Sequence, residues 1–362
     1  MTLRMAVIGV GHLGKEHARI LSGLADVELV GVVDVNPEQA RAVAQRCGTR
    51  SSTDYRELLG KIDAACIVVP TSEHLAVATQ FLEQGVHLLI EKPLARTSAE
   101  AQELVELAER QELVLQVGHI ERFNPAYEEL AGLPVQPRYV ECRRLGSYTG
   151  RSPDIGCVLD TMIHDLELVL ALVRAPVKSV DAMGIAPFGL HEEMATARLT
   201  FANGCIAQLT ASRLSMVTAR TMNVWAPEGF VGVDFAARQI TLVQPSAEMR
   251  RHGLDPGRLD PASRARLKTD MIGRHFQVAQ LDRNHGDQLT RELEHFVGCV
   301  ESGSTPRVSG TQGRDALRLA EQVLESIRSH PWTGDANGPC GPLDLPAPLG
   351  SLFTPLEDAA AA

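Results

Sequence analysis

The first residues of the chain contain a glycine pattern that constrains the fold more than any other feature. An apolar run over residues 5–8 stops at Gly9, and Gly9, Gly11 and Gly14 follow at the GxGxxG spacing. Gly9 permits a tight turn out of a strand, Gly11 lets a pyrophosphate approach the backbone, and Gly14 lets the next helix pack close to the sheet. The helix N-terminus then directs unpaired N–H groups at the phosphates. The pattern predicts a dinucleotide-binding βαβ unit.

Asp34 bears on the choice of cofactor. It ends a second apolar segment, about 20 residues past Gly14, where an acid accepts hydrogen bonds from the adenosine ribose. A carboxylate there repels a 2′-phosphate, and no arginine follows in residues 35–37, so NAD is favoured over NADP. An alternative role for Asp34 is to cap the helix that begins near Pro37. His12 and Leu13 are expected to add cofactor contacts from the glycine loop.

Size, charge and cysteine usage narrow the function class. At 362 residues the chain is long enough for two domains, and no apolar run approaches the roughly 18 residues of a membrane span. The net charge of −10 argues against non-specific nucleic-acid binding. The seven cysteines form no CxxC pair, which predicts neither a disulfide framework nor a zinc site. The N-terminus runs directly into the first strand without a leader pattern, so a cytoplasmic location is expected.

Up to about residue 120, apolar strands alternate with amphipathic helices, which predicts a doubly wound parallel sheet of the Rossmann type. The predicted strands are 4–9, 27–34, 64–69, 86–90 and 113–118, and the predicted helices are 12–24, 37–46, 72–84 and 98–111. After about residue 135 one helix, 157–173, precedes a series of longer strands: 177–186, 193–201, 204–213, 220–225, 229–235 and 238–244. This second pattern predicts an α+β domain with an open, mostly antiparallel sheet, and Asn203-Gly204 predicts a hairpin turn within it.

The rest of the chain gives weaker signals. Residues 245–285 are polar and weakly periodic, which predicts a long excursion or partly mobile loop. Helices are predicted at 287–301 and 313–328, and the Pro- and Gly-rich tail from His330 is expected to be extended or disordered.

The expected domains are 1–122 (NAD-binding), 123–330 (substrate binding and oligomerisation) and 331–362 (tail). One face of the second sheet should lack helices of its own chain, which predicts a homodimer or homotetramer.

Three predicted strands end in polar residues, and ligands of doubly wound sheets bind at the carboxyl ends of strands. The first end carries Thr71 and His74 and the second carries Glu91 and Lys92, and these four residues are expected to contact the cofactor. The third end carries His119, Arg122 and Asn124. Lys92 precedes a proline that fixes its direction, and near a nicotinamide it can hydrogen-bond a substrate hydroxyl and stabilise an oxyanion. The alternative is a solvated loop lysine. His74 is compatible with either a structural or a cofactor-binding role, whereas His17 reads as structural.

Asp160 and His164 form the remaining candidate pair. Four residues apart on a predicted helix, they face the same way, so the carboxylate can orient an imidazole that acts as a general base. An ordinary surface pair is the alternative. Apolar neighbours on both sides indicate a buried segment, where polar side chains are costly unless they have a function.

These motifs together resemble the Gfo/Idh/MocA oxidoreductases. The matching residues are Gly9 to His17, Pro70 to His74, Glu91-Lys92-Pro93, and Asp160 with His164. The resemblance implies an NAD(P)-binding Rossmann domain and a C-terminal domain whose open sheet carries substrate and oligomer contacts. It also implies oxidation of a sugar or cyclitol, with Lys92, Asp160 and His164 at the reacting carbon.

A narrower resemblance concerns the substrate. Residues 118–125, Arg143-Arg144 and residues 162–165 are similar to a branch of the family that oxidises the 3-hydroxyl of UDP-N-acetylglucosamine, whose 3-keto product feeds amino-sugar and lipid A synthesis. The expected substrate contacts are His119, Arg122, Asn124, Arg144, Arg151, Asp165 and Arg213. The arginines suit either a diphosphate or a 6-carboxylate. Another sugar, uronate or inositol therefore remains an alternative substrate. A non-catalytic dinucleotide-binding regulator is an alternative of another class, disfavoured because Lys92, Asp160 and His164 are all present.

Overall fold

The computed structural model describes residues 2–150, 155–187, 191–283, 286–335 and 338–345. Its helices are α1 (Gly14–Leu21), α2 (Pro37–Cys47), α3 (His74–Leu82), α4 (Ser98–Arg110), α5 (Pro125–Gly132), α6 (Ile163–Val173), α7 (Ala247–His252), α8 (Pro261–Asp270), α9 (Gln288–Ser302) and α10 (Gly310–Arg328). Its strands are β1 (Leu3–Ile8), β2 (Val27–Val33), β3 (Arg50–Ser52), β4 (Ala64–Ile67), β5 (His87–Glu91), β6 (Leu115–Gly118), β7 (Tyr139–Leu145), β8 (Val177–Ile185), β9 (Met194–Phe201), β10 (Ile206–Ser212), β11 (Ala219–Ala226), β12 (Gly229–Asp234), β13 (Gln239–Pro245), β14 (Phe276–Asp282), β15 (Trp332–Asp335) and β16 (Gly338–Cys340).

The first sheet is parallel and doubly wound, as the alternating pattern predicts. Its strand order is β3-β2-β1-β4-β5-β6, so the order reverses between β1 and β4, beside the glycine loop. Strands β4 and β5 are almost fully buried on both faces, which explains their continuous apolar sequences. The short edge strand β3 was not predicted, because Arg-Ser-Ser has no apolar residue to mark it.

The second sheet has eight strands in the order β14-β13-β12-β11-β7-β10-β9-β8. All neighbouring pairs are antiparallel except β7 with β10, which confirms an open, mostly antiparallel sheet. The sequence prediction missed β7, which lies near the middle of the sheet. Its buried positions are Val140, Cys142 and Arg144, and the charged residue among them hid the alternating pattern.

The prediction of a loop over residues 245–285 is wrong. The segment contains α7 and α8, and β14 pairs with β13 along its full length to extend the sheet. Most β14 residues are exposed, so this edge strand shows no alternation of apolar and polar side chains. In the tail, β15 and β16 form a two-stranded pair, while residues 346–362 lie outside the described residues.

The last long helices pack on the first sheet although they follow the second sheet in the chain. Leu293 and Phe296 of α9 join the apolar core formed by Met5 and Val7 of β1. At Gly313 of α10 an added Cβ would lie 2.5 Å from a methyl group of Val117, so the close approach of α10 to β6 requires glycine. Ile327 of α10 also packs close to Gly184 of β8, so this helix connects the two sheets.

No helix among the described residues is long and apolar enough to span a bilayer.

Helix α9 also places a carboxyl group in the core behind β5. Glu292 is fully buried, and neither of its carboxyl oxygens has a hydrogen-bond partner among the described residues. Burial, reinforced by the charge of Glu91, raises its pKa well above the ordinary 4.5. Burial therefore favours the protonated form of Glu292 in the folded protein.

We expect Glu292→Gln to change how stability depends on pH. Because the pKa of Glu292 is higher in the folded protein than in the unfolded chain, the unfolded chain loses this proton at a lower pH than the folded protein does. The wild-type free energy of unfolding therefore falls as pH rises above 4.5, by up to about 1.4 kcal/mol per pH unit. The glutamine variant has no carboxyl group at this position and so does not lose stability in this way. Denaturant titrations at about pH 5 and pH 8 should therefore show that its free energy of unfolding, relative to that of wild type, is greater at the higher pH. Glu294→Gln, on the exposed side of α9, is the matched control. Parallel pH curves for wild type and Glu292→Gln would contradict the expectation.

Candidate active site

The glycine loop forms a cradle that only glycine can build. Gly9 has a φ of +87°, and a Cβ there would lie 2.5 Å from the carbonyl oxygen of Val68. A Cβ on Gly14 would overlap the carbonyl of Gly9. Gly11, by contrast, has nothing within 4 Å of its Cβ position, so the space above it is open to a phosphate. The loop thus fits a dinucleotide, with α1 starting at Gly14.

Asp34 is held beside this loop. Its Oδ2 accepts a hydrogen bond from the backbone N–H of Val10, and its Oδ1 accepts one from Asn36, each at 2.9 Å. The cap of α2 is Asn36, whose side chain accepts from two backbone N–H groups of that helix. Asp34 is therefore not the helix cap, and its carboxylate is fixed where the ribose of a dinucleotide would lie.

His74 positions a loop rather than facing the cofactor cleft. It is buried, and its Nδ1 lies 3.0 Å from the carbonyl oxygen of Pro93, while its Nε2 lies 2.9 Å from that of Val69. Burial lowers its pKa. The ring bridges the ends of β4 and β5, so the structure gives no support to a direct cofactor contact by His74. Thr71, at the start of the short turn before α3, remains half-buried at the end of β4.

Glu91 fixes the backbone of Lys92 from behind. Its Oε1 lies 3.1 Å from Nε2 of His17, and its Oε2 accepts from the backbone N–H of Lys92 at 3.2 Å. A Cβ on Gly118 would lie 2.9 Å from this carboxylate, so β6 needs glycine here. Glu91 and His17 are both buried, which agrees with the structural interpretation of His17, and the contacts of Glu91 make it a support for Lys92.

Lys92 connects the first sheet to the segment that leads into α6. Its Nζ donates to the backbone carbonyl of Asp160 at 2.7 Å and lies 3.4 Å from Oδ1 of the same residue. Asp160 sits in a π-helical turn, Val158–Met162, that leads into α6. Oδ2 of Asp160 also lies 3.4 Å from Nη1 of Arg213. The carboxylate therefore lies between two cations.

This arrangement corrects the expected role of Asp160. The carboxylate contacts Lys92 and Arg213, and Nδ1 of His164 is buried without a hydrogen-bond partner among the described residues. The π turn is wider than an α turn, so residues four apart no longer lie directly above one another. The two competing cations also draw the carboxylate away from the imidazole.

His164 lies in a positive, poorly solvated environment. Its ring packs edge-on against His119 at a centroid distance of 5.9 Å, and His119 is itself buried with both nitrogens unpartnered among the described residues. Burial, then the charge of Lys92, lowers the pKa of His164 well below 6.5. The same two causes lower the pKa of His119 to about 3. Both rings are therefore neutral at pH 7, and a neutral, partly exposed His164 can accept a proton.

Most of the predicted substrate-binding cations are instead engaged with buried acids. Arg144 forms a two-pronged contact with Asp165 and a 2.9 Å contact with Glu121. Arg122 lies 2.7 Å from Glu167, whose pKa burial raises to about 7.

Asn124 is also buried and structural. It caps α5, and its side-chain amide donates to Glu121 and to the carbonyl of Phe235. Arg151 lies outside the described residues. These contacts use donors that the sequence interpretation assigned to substrate.

The acids that support the π turn were missed. Glu193 takes two hydrogen bonds from Arg213, and Oε1 of Glu192 accepts from the backbone N–H of Val158 at 2.9 Å. A Cβ on Gly156 would overlap the Glu192 carboxylate. The adjacent acids before an apolar strand were the available signal, since such a pair is costly to bury unless it is paired.

Comparisons with known proteins agree with this geometry. Residues 3–119 match the model of an oxidoreductase family with an NAD-binding Rossmann fold, and residues 135–231 match the GFO/IDH/MocA C-terminal domain. UDP-N-acetylglucosamine 3-dehydrogenase of Acidithiobacillus ferrooxidans is 36% identical over 329 residues, covering 90% of this chain and 98% of that protein. The chain belongs to the Gfo/Idh/MocA oxidoreductase family.

A solved structure and a second relative extend the comparison over nearly the whole chain. A solved structure of the Acidithiobacillus ferrooxidans enzyme superposes with a TM-score of 0.80 at 36% identity, covering 91% of this chain and 98% of that one. Inositol 2-dehydrogenase of Rhizobium meliloti is 25% identical over 346 residues, covering 90% of this chain and 97% of that protein. As a Gfo/Idh/MocA oxidoreductase with an NAD-binding Rossmann fold, this protein is an NAD(P)-dependent dehydrogenase that acts on a CH–OH group.

The position of Asp34 leads to a prediction on cofactor choice within this family. We expect wild type to bind NAD more tightly than NADP, because the carboxylate accepts from the ribose hydroxyls and repels a 2′-phosphate. Asp34→Ala should weaken NAD binding and reduce the difference in affinity between NAD and NADP. Fluorescence titration of both cofactors against both proteins measures this. Equal affinities of wild type for NAD and NADP would contradict the proposed preference for NAD.

Proposed function

We propose that this protein oxidises the 3-hydroxyl group of a UDP-N-acetylhexosamine to a 3-keto sugar nucleotide. The similarity to UDP-N-acetylglucosamine 3-dehydrogenase over nearly the whole length of both chains supports the choice of substrate. The placement of Lys92 against the π turn that leads to His164 supports the chemistry. The 3-keto product would then be open to transamination, and we propose amino-sugar and lipid A synthesis as its use.

The roles follow from the contacts. His164 removes the proton from the 3-hydroxyl, because its burial and the nearby cations keep it neutral. Lys92 hydrogen-bonds the same oxygen and stabilises its developing negative charge. Asp160 acts through Lys92, since its carbonyl and carboxylate hold the ammonium group in place. The glycine loop and Asp34 would hold NAD, which when bound would supply the acceptor for the hydride that leaves the sugar carbon.

A panel of substrates tests the proposal. The protein is incubated with NAD and with UDP-N-acetylglucosamine, UDP-N-acetylgalactosamine, their 6-carboxylated uronates, N-acetylglucosamine and myo-inositol, and NADH absorbance is followed. Mass spectrometry then checks the product for loss of two hydrogens. Turnover of a UDP-N-acetylhexosamine supports the proposal, whereas turnover confined to myo-inositol overturns it. Inositol oxidation is the second candidate, because an inositol dehydrogenase is related over nearly the whole chain.

The assigned roles predict the effect of two substitutions. Loss of general acid–base catalysis costs about 10²–10⁴-fold in rate, so His164→Ala and Lys92→Met should each lose kcat by that order. NAD affinity should change little, because neither side chain belongs to the glycine loop. Higher pH should partly restore His164→Ala, since hydroxide replaces the missing base, but not Lys92→Met. Near-full turnover by His164→Ala would make the histidine structural.

The outer face of the second sheet supports a proposal on assembly. Tyr139, Trp225 and Phe230 stack with centroid distances of 5.2 and 5.1 Å on the face opposite the buried one, and both Tyr139 and Trp225 are exposed. Such an aromatic patch on an open sheet is usually covered by a partner. We propose that a second copy of the chain covers it.

We therefore expect light scattering to show a homodimer or homotetramer at micromolar concentration. Trp225→Glu, which places a charge in the patch, should shift the protein toward the monomer. Val35→Glu adds the same charge at an exposed position just after β2 of the first sheet and serves as the control. A monomeric wild type would contradict the assembly.

A further inference from the structure

One arginine beside the site differs from its neighbours. Arg122, Arg144 and Arg213 all have buried carboxylate partners. Arg220, near the start of β11, is exposed, and no described side chain forms a hydrogen bond or ion pair with it. It is therefore an uncompensated positive charge that is open to a ligand.

Strand register places Arg220 at the mouth of the site. It lies directly opposite Arg144 on the neighbouring strand β7, so both side chains share one sheet face. That face is the inner one, because Met222 and Val224 further along β11 are buried. Arg144 contacts Asp165, the residue after His164. Arg220 therefore projects where the inner face emerges into solvent beside the catalytic histidine.

The electrostatics agree with this placement. The charge of Arg220 contributes to the lowered pKa of His164, alongside burial and the charges of Lys92 and Arg144. The same arginine also favours the ionised form of Asp165. With the acids of this region already paired, an anion from solution is the complementary partner for Arg220.

We infer that Arg220 binds an anionic group of the substrate, the diphosphate of the sugar nucleotide, and so selects nucleotide-linked sugars over free sugars. This inference rests on the proposed function and adds a specificity-determining residue to it. A planar guanidinium matches two phosphate oxygens at once, which a lysine cannot do. A sugar 6-carboxylate offers the same chemistry, so the experiment includes substrates that carry each group separately.

The test compares Arg220→Gln, Arg220→Lys and the control Arg250→Gln, which removes one exposed arginine on α7, with wild type. Steady-state kinetics are measured with UDP-N-acetylglucosamine, its 6-carboxylated uronate, N-acetylglucosamine and glucuronate. Calorimetry measures the binding of UDP alone, independently of turnover. Thermal unfolding checks that each variant is folded.

We expect Arg220→Gln to raise KM for UDP-N-acetylglucosamine about ten- to hundredfold with little change in kcat, as loss of a charged hydrogen bond made equally in the ground and transition states requires. UDP binding should weaken by a similar factor. Arg220→Lys should recover part of both, and turnover of N-acetylglucosamine and behaviour of Arg250→Gln should be unaffected.

Two results overturn the inference. Unchanged KM and UDP affinity in Arg220→Gln would show that Arg220 does not bind the diphosphate. A loss confined to the uronate and to glucuronate would assign it to the carboxylate instead. Failure of wild type to oxidise any UDP-sugar would overturn the proposed function, and UDP binding that still depends on Arg220 would separate that failure from the failure of this inference.

Discussion

The hydrogen bond from Nζ of Lys92 to the carbonyl of Asp160, 2.7 Å long, is the contact on which the site depends. It joins the end of β5 to the π turn before α6 and so fixes the distance between the glycine loop and His164, the proposed general base. Glu91 holds the lysine from one side, and Glu192 holds the π turn from the other. Catalysis requires reacting groups to be held within a fraction of an ångström. The buried supports on both sides provide that rigidity.

Charge compensation follows the same plan. Arg122, Arg144 and Arg213 near the site are each paired with an acid that is itself buried. Breaking such a buried pair by removing one partner typically costs about 3–5 kcal/mol, because a charge is left without compensation. The pairs around Arg144 and Arg213 therefore hold strand ends in place. His164 stays neutral in this setting because burial and Lys92 both disfavour its charged form.

The sequence predicted what local chemistry determines and missed what distant partners determine. Gly9, Gly14 and Asp34 were predictable because a dinucleotide cradle lies within a single βαβ unit. The position of Lys92 followed from the end of a strand. The partner of Asp160 could not be predicted in this way, because Lys92 lies 68 residues away in the sequence. The π turn that contains Asp160 also has no recognisable spacing of apolar residues. The roles of Arg122 and Arg144 depended on Glu167 and Asp165 being buried beside them. Strand β7 was hidden because one of its inward-facing residues is that same Arg144.

The most direct test of this account is the pKa of His164, measured by NMR titration of ring protons in wild type and Lys92→Met. The account predicts that the wild-type resonance titrates well below pH 6.5 and that its pKa rises in Lys92→Met, because the variant removes a nearby positive charge. A wild-type His164 that titrates at the ordinary value, unchanged in Lys92→Met, would contradict the claim that Lys92 and burial together keep the base neutral.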